Sequence, residues 1–450
     1  MHPCVTIIMP SLNVVNYIEE CIGSALNQTL QNIEILCIDA GSNDGTESIL
    51  KKYAAKSIDG KQIRLIHSEQ KSYGYQVNLG IKEANGEYIL VLETDDYIDP
   101  EMLEKQYKIA VSQNADMVRS DYISFYPLES GELIETRYKM FESPDEYGVY
   151  STNGQDINLI LRDQNIWRGI YKRDFLTRND IWLNESRGAA YQDIGYMLQC
   201  LTSEAKVVYT NDAFYHYRTG RPGSSSVSLN CLKYSFWEFS RFTDDKIRYK
   251  KVLNAPGFYY RMMQTFVGEY TKVLKQCGYD PESEYLMPYY IFFRDELKKY
   301  LDLNKNFTNS FDIACYTECK ELIEDCKTYS LKIKNEEREK AVYRSRMVSE
   351  IGNTPIIIWG AGVRGHSALA FMLSNDITVR GFVDNNSKLW KSKIGKYTVY
   401  SFDEILREIK SDRLFVGIAN KYHQQEIKAQ IIEAGIGEDR IILLDERLLG

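Results

Sequence analysis

Short apolar runs alternate, over about the first 110 residues, with segments whose apolar positions recur every three or four residues. The runs VTIIMPSLN, IEILCIDAG, IRLIHSE and EYILVLETDD indicate strands, and each ends in polar residues. The segments between them have the period of amphipathic helices. The fourth run contains the unbroken apolar stretch YILVL, which is typical of a strand buried on both faces. This βαβαβαβ order predicts a parallel sheet covered by helices.

The pattern changes twice further along the chain. Short strands mix with helices from 114 to about 217, and from about 230 to 347 the pattern is helical and rich in Tyr and Phe. Gly352, Asn353 and Pro355 mark a boundary, after which PIIIW, SALAFML and TVRGFVD begin a new βαβ pattern. We therefore predict an α/β protein with a Rossmann-like domain over 1–228, a helical region over 229–350 and a small Rossmann-like α/β domain over 351–450.

Composition and charge narrow the classes of function. A net charge of −8 without a basic stripe argues against a nucleic-acid-binding protein. No segment approaches the ~18 continuous apolar residues of a membrane span, and the first residues lack a basic start before a long apolar run. The 9 cysteines show no CxxC spacing, which fits reduced thiols. We expect a cytoplasmic protein without a transmembrane span, and peripheral association with the inner face of the membrane and homo-oligomerisation stay open.

Acidic and polar side chains follow three strands of the first domain. They are Ser11 and Asn13 after the first strand, Asp39 after the second, and Glu93, Asp95 and Asp96 after the fourth. Ligands of parallel sheets bind beyond the carboxyl ends of the strands, so we expect these groups to converge. Carboxylates this close together raise one another's pKa unless a cation lies between them, and Mg²⁺ or Mn²⁺ suits such ligands beside phosphates. A solvated Asp-rich turn is the alternative interpretation.

Four segments in one order and spacing carry a family resemblance. VTIIMPSLN, CIDAGSNDGT, GYQVNLGIKEANGEYI and LETDDYIDPEML span residues 5 to about 105 and resemble family-2 glycosyltransferases of the GT-A fold. WRGIYKRDFL, AAYQDIGYMLQC and FYHYRTGRPGSSSV are similar to the acceptor-side half of the same family. The resemblance covers about the first 228 residues. It implies a GT-A domain that transfers a sugar from a nucleotide-sugar donor, with UDP favoured, to an acceptor hydroxyl of a glycan, lipid-linked or protein molecule, as in the synthesis of cell-surface glycans.

The resemblance also implies which residues bind the donor. They are Pro10, Ser11, Asn13, Asp39, Glu93, Thr94, Asp95, Arg218 and Arg221. Asp39 matches the acid that contacts the nucleotide base, usually uracil. Glu93 to Asp95 match the D-x-D motif, with Glu in place of the usual first Asp, and Asp95 with Asp96 would hold Mn²⁺ or Mg²⁺ against the diphosphate. Arg218 and Arg221 would grip the diphosphate; a basic surface loop is the other interpretation of that stretch.

The acceptor side of the site is implied in the same way. Asp193, in YQDIGY, matches the Asp that acts as general base, and the family usually has Glu where Gln192 stands. One base opposite the leaving group implies a single displacement with inversion at the anomeric carbon. Trp167 and Arg168 occupy the region that meets the acceptor. His216 is either a third metal ligand or a buried, hydrogen-bonded histidine.

The last domain contains a glycine-rich turn. WGAGVRG places Gly360, Gly362 and Gly365 between a strand and a helix, and Asp384 ends the next strand. Glycines that admit a phosphate to a helix N-terminus, with an acid for the ribose, form the dinucleotide fingerprint. The domain also resembles small Rossmann modules found beside sugar-modifying enzymes. Binding of NAD or a nucleotide sugar and a docking or dimerisation role without ligand stand as equal alternatives.

Three functions follow from these residues. The first is an inverting, metal-dependent glycosyltransferase, and the second is a bifunctional enzyme whose last domain acts on the sugar nucleotide with NAD. The third is a non-catalytic scaffold that binds sugar nucleotides. Asp193 together with the acids at 93–96 disfavours the scaffold, and the lack of a Tyr-x-x-x-Lys pair after WGAGVRG disfavours the dehydrogenase.

Overall fold

The computed structural model describes residues 2–56, 60–127, 133–220, 228–303, 310–411, 414–420 and 423–449. The strands are β1 (Val5–Ser11), β2 (Ile33–Asp39), β3 (Lys61–His67), β4 (Tyr88–Val91), β5 (Tyr97–Ile98), β6 (Met117–Pro127), β7 (Leu133–Tyr138), β8 (Gly148–Ser151), β9 (Gly169–Lys172), β10 (Lys206–Arg218), β11 (Ile356–Trp359), β12 (Val379–Val383), β13 (Lys393–Ile394), β14 (Tyr397–Tyr400), β15 (Phe415–Ile418) and β16 (Ile441–Leu443).

The helices are α1 (Ile18–Leu26), α2 (Thr46–Ala54), α3 (Tyr73–Glu83), α4 (Met102–Gln113), α5 (Ile157–Arg162), α6 (Arg173–Arg178), α7 (Gln192–Thr202), α8 (Cys231–Asp244), α9 (Lys250–Leu253), α10 (Pro256–Gln276), α11 (Met287–Leu303), α12 (Ser310–Glu324), α13 (Cys326–Ile351), α14 (Val363–Ser374), α15 (Phe402–Ser411), α16 (Gln424–Glu433) and α17 (Glu446–Leu449). The chain divides into two compact units. The first comprises Met1–Ser124 and Arg137–Leu331, and the second comprises Phe125–Thr136 and Lys332–Gly450.

The first unit is built on a mixed sheet in the order β3-β2-β1-β4-β9-β6-β10-β5, with β8 paired to β10. β1 pairs in parallel with β2 and β4, and β2 with β3, so the predicted parallel sheet is confirmed. Ser11 lies opposite Asp39 in the β1–β2 register, so the polar residues that follow both strands lie at the same edge. The added antiparallel strand β9 pairs with β4 and continues the sheet toward β10.

The middle of the chain is helical, as predicted, and its aromatic residues form a core. Phe239, Phe258, Phe266 and Phe293, on α8, α10 and α11, are fully buried. The Phe266 and Phe293 rings stack with centroids 4.9 Å apart, and Phe239 meets Phe258 edge to face. Such ring pairs stabilise a packed interior beyond the area they bury. These rings therefore serve packing rather than sugar stacking.

The second unit contains a smaller sheet in the order β13-β14-β12-β11-β15-β16. β11 pairs in parallel with β12 and β15, while β13 is an antiparallel edge strand. Ile356 and Ile358 belong to one buried cluster, and Ile357 and Trp359 to another. Because successive strand residues point to opposite faces, both faces of β11 are covered. The expected second α/β sheet is confirmed. In the described part of the chain no helix combines the length and apolar character of a membrane span.

Candidate active site

Side-chain hydrogen bonds join the loops that follow β1 and β2. The Asp39 carboxylate accepts from the backbone N–H groups of Gly41 (2.9 Å) and Ser42 (3.0 Å) and from the Ser42 hydroxyl (2.6 Å). Asn13 lies in the left-handed region (φ 54°), and its Oδ1 accepts from the Asn43 N–H at 2.9 Å. Asp39 is fully buried. The acid that the sequence assigns to the nucleotide base is thus fixed at this edge by three bonds from its own loop.

The end of β1 is tied to the loop after β4 and to α3. The Thr94 hydroxyl donates to the carbonyl of Pro10 at 2.9 Å. The Gln76 side-chain amide donates to the carbonyls of Ser11 (3.0 Å) and Ile38 (2.7 Å). Thr94 and Ser11 are both buried. In this structure Pro10, Ser11 and Thr94 therefore hold the loops in place.

The three acids after β4 occupy different environments. Asp96 is 1% exposed, and its two oxygens accept from the Arg218 N–H (2.7 Å) and from the Tyr215 hydroxyl (2.8 Å). Burial, with Asp95 beside it, raises the pKa of Asp96 well above its usual range. Glu93 and Asp95 line a cavity, and Asp96 is not among the described residues that do so. The structure thus separates Asp96 from the two acids that line the cavity.

The cavity, of about 250 Å³, brings together residues that are far apart in the sequence. Asp193 lines it together with Glu93 and Asp95, and Arg218 contributes to the same wall. The Arg218 Nε also donates to the carbonyl of Asp95 at 2.8 Å, and its Nη2 pairs with Glu20 at 2.5 Å. Two of the acids that the sequence assigns to the donor, the base candidate and one arginine therefore line one cavity. Arg221 and the serines at 224–226 lie outside the described residues.

Asp193 lies in the first turn of α7. Burial raises its pKa from 3.8 to about 6. The N–H of Ile194, which donates to the Asp193 carboxylate at 2.9 Å, and the charge of Arg261 lower the pKa, but by less than burial raises it. A carboxylate with a pKa near neutrality can accept a proton from a hydroxyl more effectively than an ordinary Asp.

Gln192, which replaces the usual Glu, holds the loop that leads into α7. Its Oε1 accepts from the Ala190 N–H at 2.6 Å. Its Nε2 donates to the Ser186 hydroxyl at 3.1 Å and to the Gly188 carbonyl at 3.3 Å. A carboxylate could not donate these last two bonds. The amide therefore suits the position because the loop offers both donors and acceptors.

Tyr73 is a cavity residue that sequence reasoning missed. Its hydroxyl donates to Glu93 Oε1 at 2.5 Å. Ser72 caps α3 by accepting from the Tyr75 N–H at 3.2 Å, and its hydroxyl donates to the Ser186 carbonyl at 2.8 Å. The Tyr73 N–H donates to the Gly188 carbonyl at 3.0 Å. The serine cap signals the start of a helix, but no local signal in the sequence places Tyr73 against Glu93.

The two acceptor-side candidates lie in different places. Trp167 lines the cavity and stacks on Tyr217, which also lines it, with ring centroids 5.1 Å apart and planes within 11°. Arg168 is 3% exposed, and its Nε donates to the Ser120 carbonyl at 3.0 Å. Arg168 is not among the described cavity residues. Trp167 and Tyr217 therefore form an aromatic wall of the cavity that Asp193 also lines.

His216 is buried in a hydrogen-bonded environment. Its Nε2 lies 2.9 Å from Asp99 Oδ1, and its ring stacks on Tyr97 with centroids 4.3 Å apart. It is not among the described residues that line the cavity. Of the two sequence interpretations, the geometry favours the buried histidine over the metal ligand.

The glycine-rich turn of the second unit is held by the acid expected to contact a ribose. Asp384 accepts from the Ala361 N–H (2.9 Å) and from the Asn386 N–H (2.8 Å). Gly360 has φ 114°, which favours glycine, and a Cβ on Gly365 would lie 1.9 Å from the Gly360 carbonyl oxygen. Gly362 caps α14. Backbone conformation therefore accounts for Gly360 and close packing for Gly365, and nucleotide binding here stays a prediction.

Two segments of the chain match known families. Residues 6–144 match the model of glycosyl transferase family 2, and residues 352–442 match a model described as C2185-like, N-terminal. The family-2 resemblance of the N-terminal segment is confirmed. The small C-terminal domain matches that one description, and the family-2 match does not extend to it.

Several curated proteins are similar to the N-terminal half. The chain is 29% identical over 244 residues to a cholesterol galactosyltransferase of Borreliella burgdorferi, covering 51% of this chain and 63% of that protein. It is 28% identical over 240 residues to the glycosyltransferase GlyG of Streptococcus pneumoniae, covering 50% and 73%. It is 33% identical over 220 residues to the putative glycosyltransferase EpsH of Bacillus subtilis, covering 48% and 61%. The match thus spans less than two thirds of the first and third of these relatives.

Among solved structures, S. aureus TarS 1-349 in complex with UDP-GlcNAc is similar over 71% of this chain and 91% of that chain. The sequence identity is 16% and the TM-score is 0.45.

Proposed function

We propose that this chain is an inverting glycosyltransferase that moves a sugar from a nucleoside-diphosphate sugar to an acceptor hydroxyl. One observation carries the proposal: Glu93 and Asp95 share a cavity with Asp193. The family resemblance gives the first two to the donor diphosphate and the third to the acceptor. An acceptor oxygen that loses its proton to Asp193 attacks the anomeric carbon from the face opposite the diphosphate. The bond to the leaving diphosphate breaks as the new glycosidic bond forms, which inverts the configuration.

The environment of Asp193 suits the role of base. With a pKa of about 6, the carboxylate is ionised at neutral pH and remains basic enough to accept the acceptor proton. Asp193 lies in the first turn of α7, and the side chain of its neighbour Gln192 holds the loop that leads into this helix. The helix and the loop together fix the position of the Asp193 carboxylate in the cavity. Tyr217, supported by Trp167, provides a wall against which a sugar ring can pack.

Glu93 and Asp95 fit a divalent cation, because they are hard oxygen ligands and the family places such an ion beside the diphosphate. Asp96 fits that role poorly, since it is almost fully buried, is not among the described residues that line the cavity, and accepts from Arg218 and Tyr215. A bound Mn²⁺ or Mg²⁺ would neutralise charge that develops on the leaving diphosphate. We therefore assign Asp95 to binding the ion and Asp96 to holding Arg218 at the cavity.

Tyr73 orients the Glu93 carboxylate through the hydrogen bond that its hydroxyl donates.

The donor base is proposed to be uracil. A carboxylate offers about four acceptor positions, and Asp39 already uses three of them within its own loop. One further bond, from the N3–H of a pyrimidine dione, fits the remaining capacity once the loop at 41–42 moves to expose Asp39, which is fully buried in this structure. The loop from Pro10 to Asn13 supplies backbone groups at the same edge for the base carbonyls.

A panel of nucleotide sugars tests the transfer proposal without a known acceptor. We expect slow hydrolysis of a UDP-sugar in the presence of Mn²⁺ and loss of that hydrolysis in Asp95→Ala. Glu101→Ala is the matched control, because Glu101 is an exposed acid six residues further along the chain and pairs with Lys105. Turnover of no nucleotide sugar, with or without metal, would contradict the proposal and favour the scaffold.

A further inference from the structure

The segment from 388 to 396 of the second unit carries four exposed lysines and an exposed tryptophan. Lys388, Lys391, Lys393 and Lys396 are all exposed, and the exposed fraction of Trp390 is 42%. The sequence from 385 to 402 contains no Asp or Glu, although the whole chain carries a net charge of −8. These five residues form what we call the basic surface. Its charge is therefore opposite in sign to that of the chain as a whole.

The segment that carries the basic surface is fixed to the unit. Leu389 and Ile394 pack against a buried cluster of that unit. The Trp390 indole N–H donates to the carbonyl of Asp384 at 2.7 Å, and the Lys391 N–H donates to the carbonyl of Val399 at 2.8 Å. Apolar residues thus anchor the segment while the lysines and the indole face solvent. Binding to this surface would need little ordering of the backbone.

Lys396 of the basic surface lines a cavity that Glu408 also lines, but Glu408 pairs with Arg380. Within the parts of the chain that are described, none of its four lysines forms an ion pair. Elsewhere in the same unit, Lys428 pairs with Glu438 and Arg380 with Glu408. Lysines on an edge strand often have the single role of preventing the strand from pairing with another chain. That role does not explain Lys388 and Lys391, which lie outside the edge strand β13. An unbalanced cluster beside an exposed indole instead suits an anionic partner.

We propose that the basic surface binds the anionic face of a phospholipid bilayer. Lysine is a compact, mobile charge that suits a diffuse anionic surface, whereas the planar fork of arginine suits individual phosphates. Tryptophan is enriched where protein meets the membrane–water interface. The indole N–H of Trp390 already has a carbonyl partner, so inserting the ring leaves no donor unpaired. A single-stranded nucleic acid is a weaker fit, because its grooves use successive aromatic platforms.

Cosedimentation of the full-length chain with vesicles tests this surface independently of any transfer activity. Phosphatidylcholine vesicles with phosphatidylglycerol should bind the chain, and vesicles of phosphatidylcholine alone should not. Each Lys→Gln change in the surface should lower the partition coefficient about fivefold, equivalent to about 1 kcal/mol, and salt should weaken binding. The variant K388Q/K391Q/K393Q/K396Q should abolish sedimentation. Trp390→Ala should weaken vesicle binding several-fold, and the salt dependence of binding should stay the same.

The control is K51Q/K105Q/K108Q, three exposed lysines of the first unit that each pair with a glutamate four residues earlier, and it is compared with the triple variant K388Q/K391Q/K393Q. Its vesicle binding should equal that of the wild type. Circular dichroism and thermal unfolding check the fold, and single Lys→Gln variants replace the quadruple one if it unfolds. Equal partition into neutral and anionic vesicles, or unchanged binding by the surface variants, would overturn the proposal. So would binding of a single-stranded oligonucleotide without binding of vesicles, which would assign the surface to nucleic acid.

Discussion

The hydroxyl of Tyr73 donates a 2.5 Å hydrogen bond to Oε1 of Glu93. The bond joins the start of α3 to the loop after β4. Because α3 is also bonded to the 186–188 loop, the same residue connects the donor side of the cavity with the segment that leads to Asp193. The cavity therefore depends on a contact between residues that no motif groups together.

Tyr73→Phe should weaken donor binding in the presence of metal by about tenfold or more, because hydrogen bonds to charged groups contribute about 1.5–3 kcal/mol. The acceptor KM should change little. Calorimetry with UDP and Mn²⁺, followed by steady-state kinetics, measures both. Tyr75→Phe, on the same helix but not among the described cavity residues, is the control. Unchanged donor affinity in Tyr73→Phe would mean that Glu93 does not need this bond.

Asp193→Asn should bind the donor with unchanged affinity, and its transfer rate should fall by about 10²–10⁴-fold, the usual loss when a general base is removed. The wild-type transfer rate should rise as pH increases through about 6, because the carboxylate must be ionised to accept a proton. Measuring kcat as a function of pH tests for this rise in rate. A variant that still transfers at nearly the wild-type rate would place the base elsewhere.

The stability of the same variant gives an independent check. Because burial raises the Asp193 pKa above its ordinary value of 3.8, the folded protein holds this proton more tightly than the unfolded chain. The wild type should therefore lose stability as pH rises from 3.8 to about 6, and the loss should then level off. Asp193→Asn should lack this loss. Thermal unfolding of both proteins across that interval would reveal the difference, and parallel curves would contradict it.

Asp95 and Asp96 should respond differently to substitution. Asp95→Asn should abolish the Mn²⁺ dependence of UDP binding with little change in thermal stability. Asp96→Asn should lower the free energy of unfolding by about 1–3 kcal/mol, because an amide cannot accept both buried bonds from Arg218 and Tyr215. Calorimetry and thermal unfolding separate the two effects. Equal loss of metal-dependent binding in both folded variants would restore Asp96 as a ligand.

UDP should stabilise the protein thermally more than GDP does at equal concentration. A ligand that binds only the folded state raises its stability in proportion to RT ln(1 + [L]/Kd), so the shift ranks affinities. Asp39 can accept from a pyrimidine N3–H, and the measurement needs no acceptor. A larger shift with GDP would refute the uracil assignment.

The second unit should bind a nucleotide only if the Asp384 carboxylate can reach it. Asp384 currently accepts from Ala361 and Asn386 within the turn. If the turn binds NAD or a UDP-sugar, Asp384→Ala should weaken binding of that ligand in the full-length chain and leave Mn²⁺-dependent UDP binding unaffected. Equilibrium dialysis with NAD and with UDP-sugars measures both. No binding outside the first unit would leave the docking or dimerisation interpretation.

The amino-acid sequence by itself predicted the parallel strands β1, β2, β3 and β4 and the helices between them, since apolar periodicity is a local property. It did not predict the short strand β5 or the helix α4 that follow them. It also indicated that Ser11 and Asp39 would meet at one edge, because parallel strands end on the same side of a sheet. The family motifs singled out Asp193 and the acids at 93–96 as candidates.

Only the tertiary structure decided which of these acids face the cavity. Neighbours such as Asp95 and Asp96 carry the same charge in the sequence, and they differ because Tyr215 and Arg218, from a distant strand, bind one of them. Tyr73 entered the site for the same reason, since its partner Glu93 lies on another element. Side-chain direction and burial depend on contacts between residues far apart in the chain, and local patterns do not encode them.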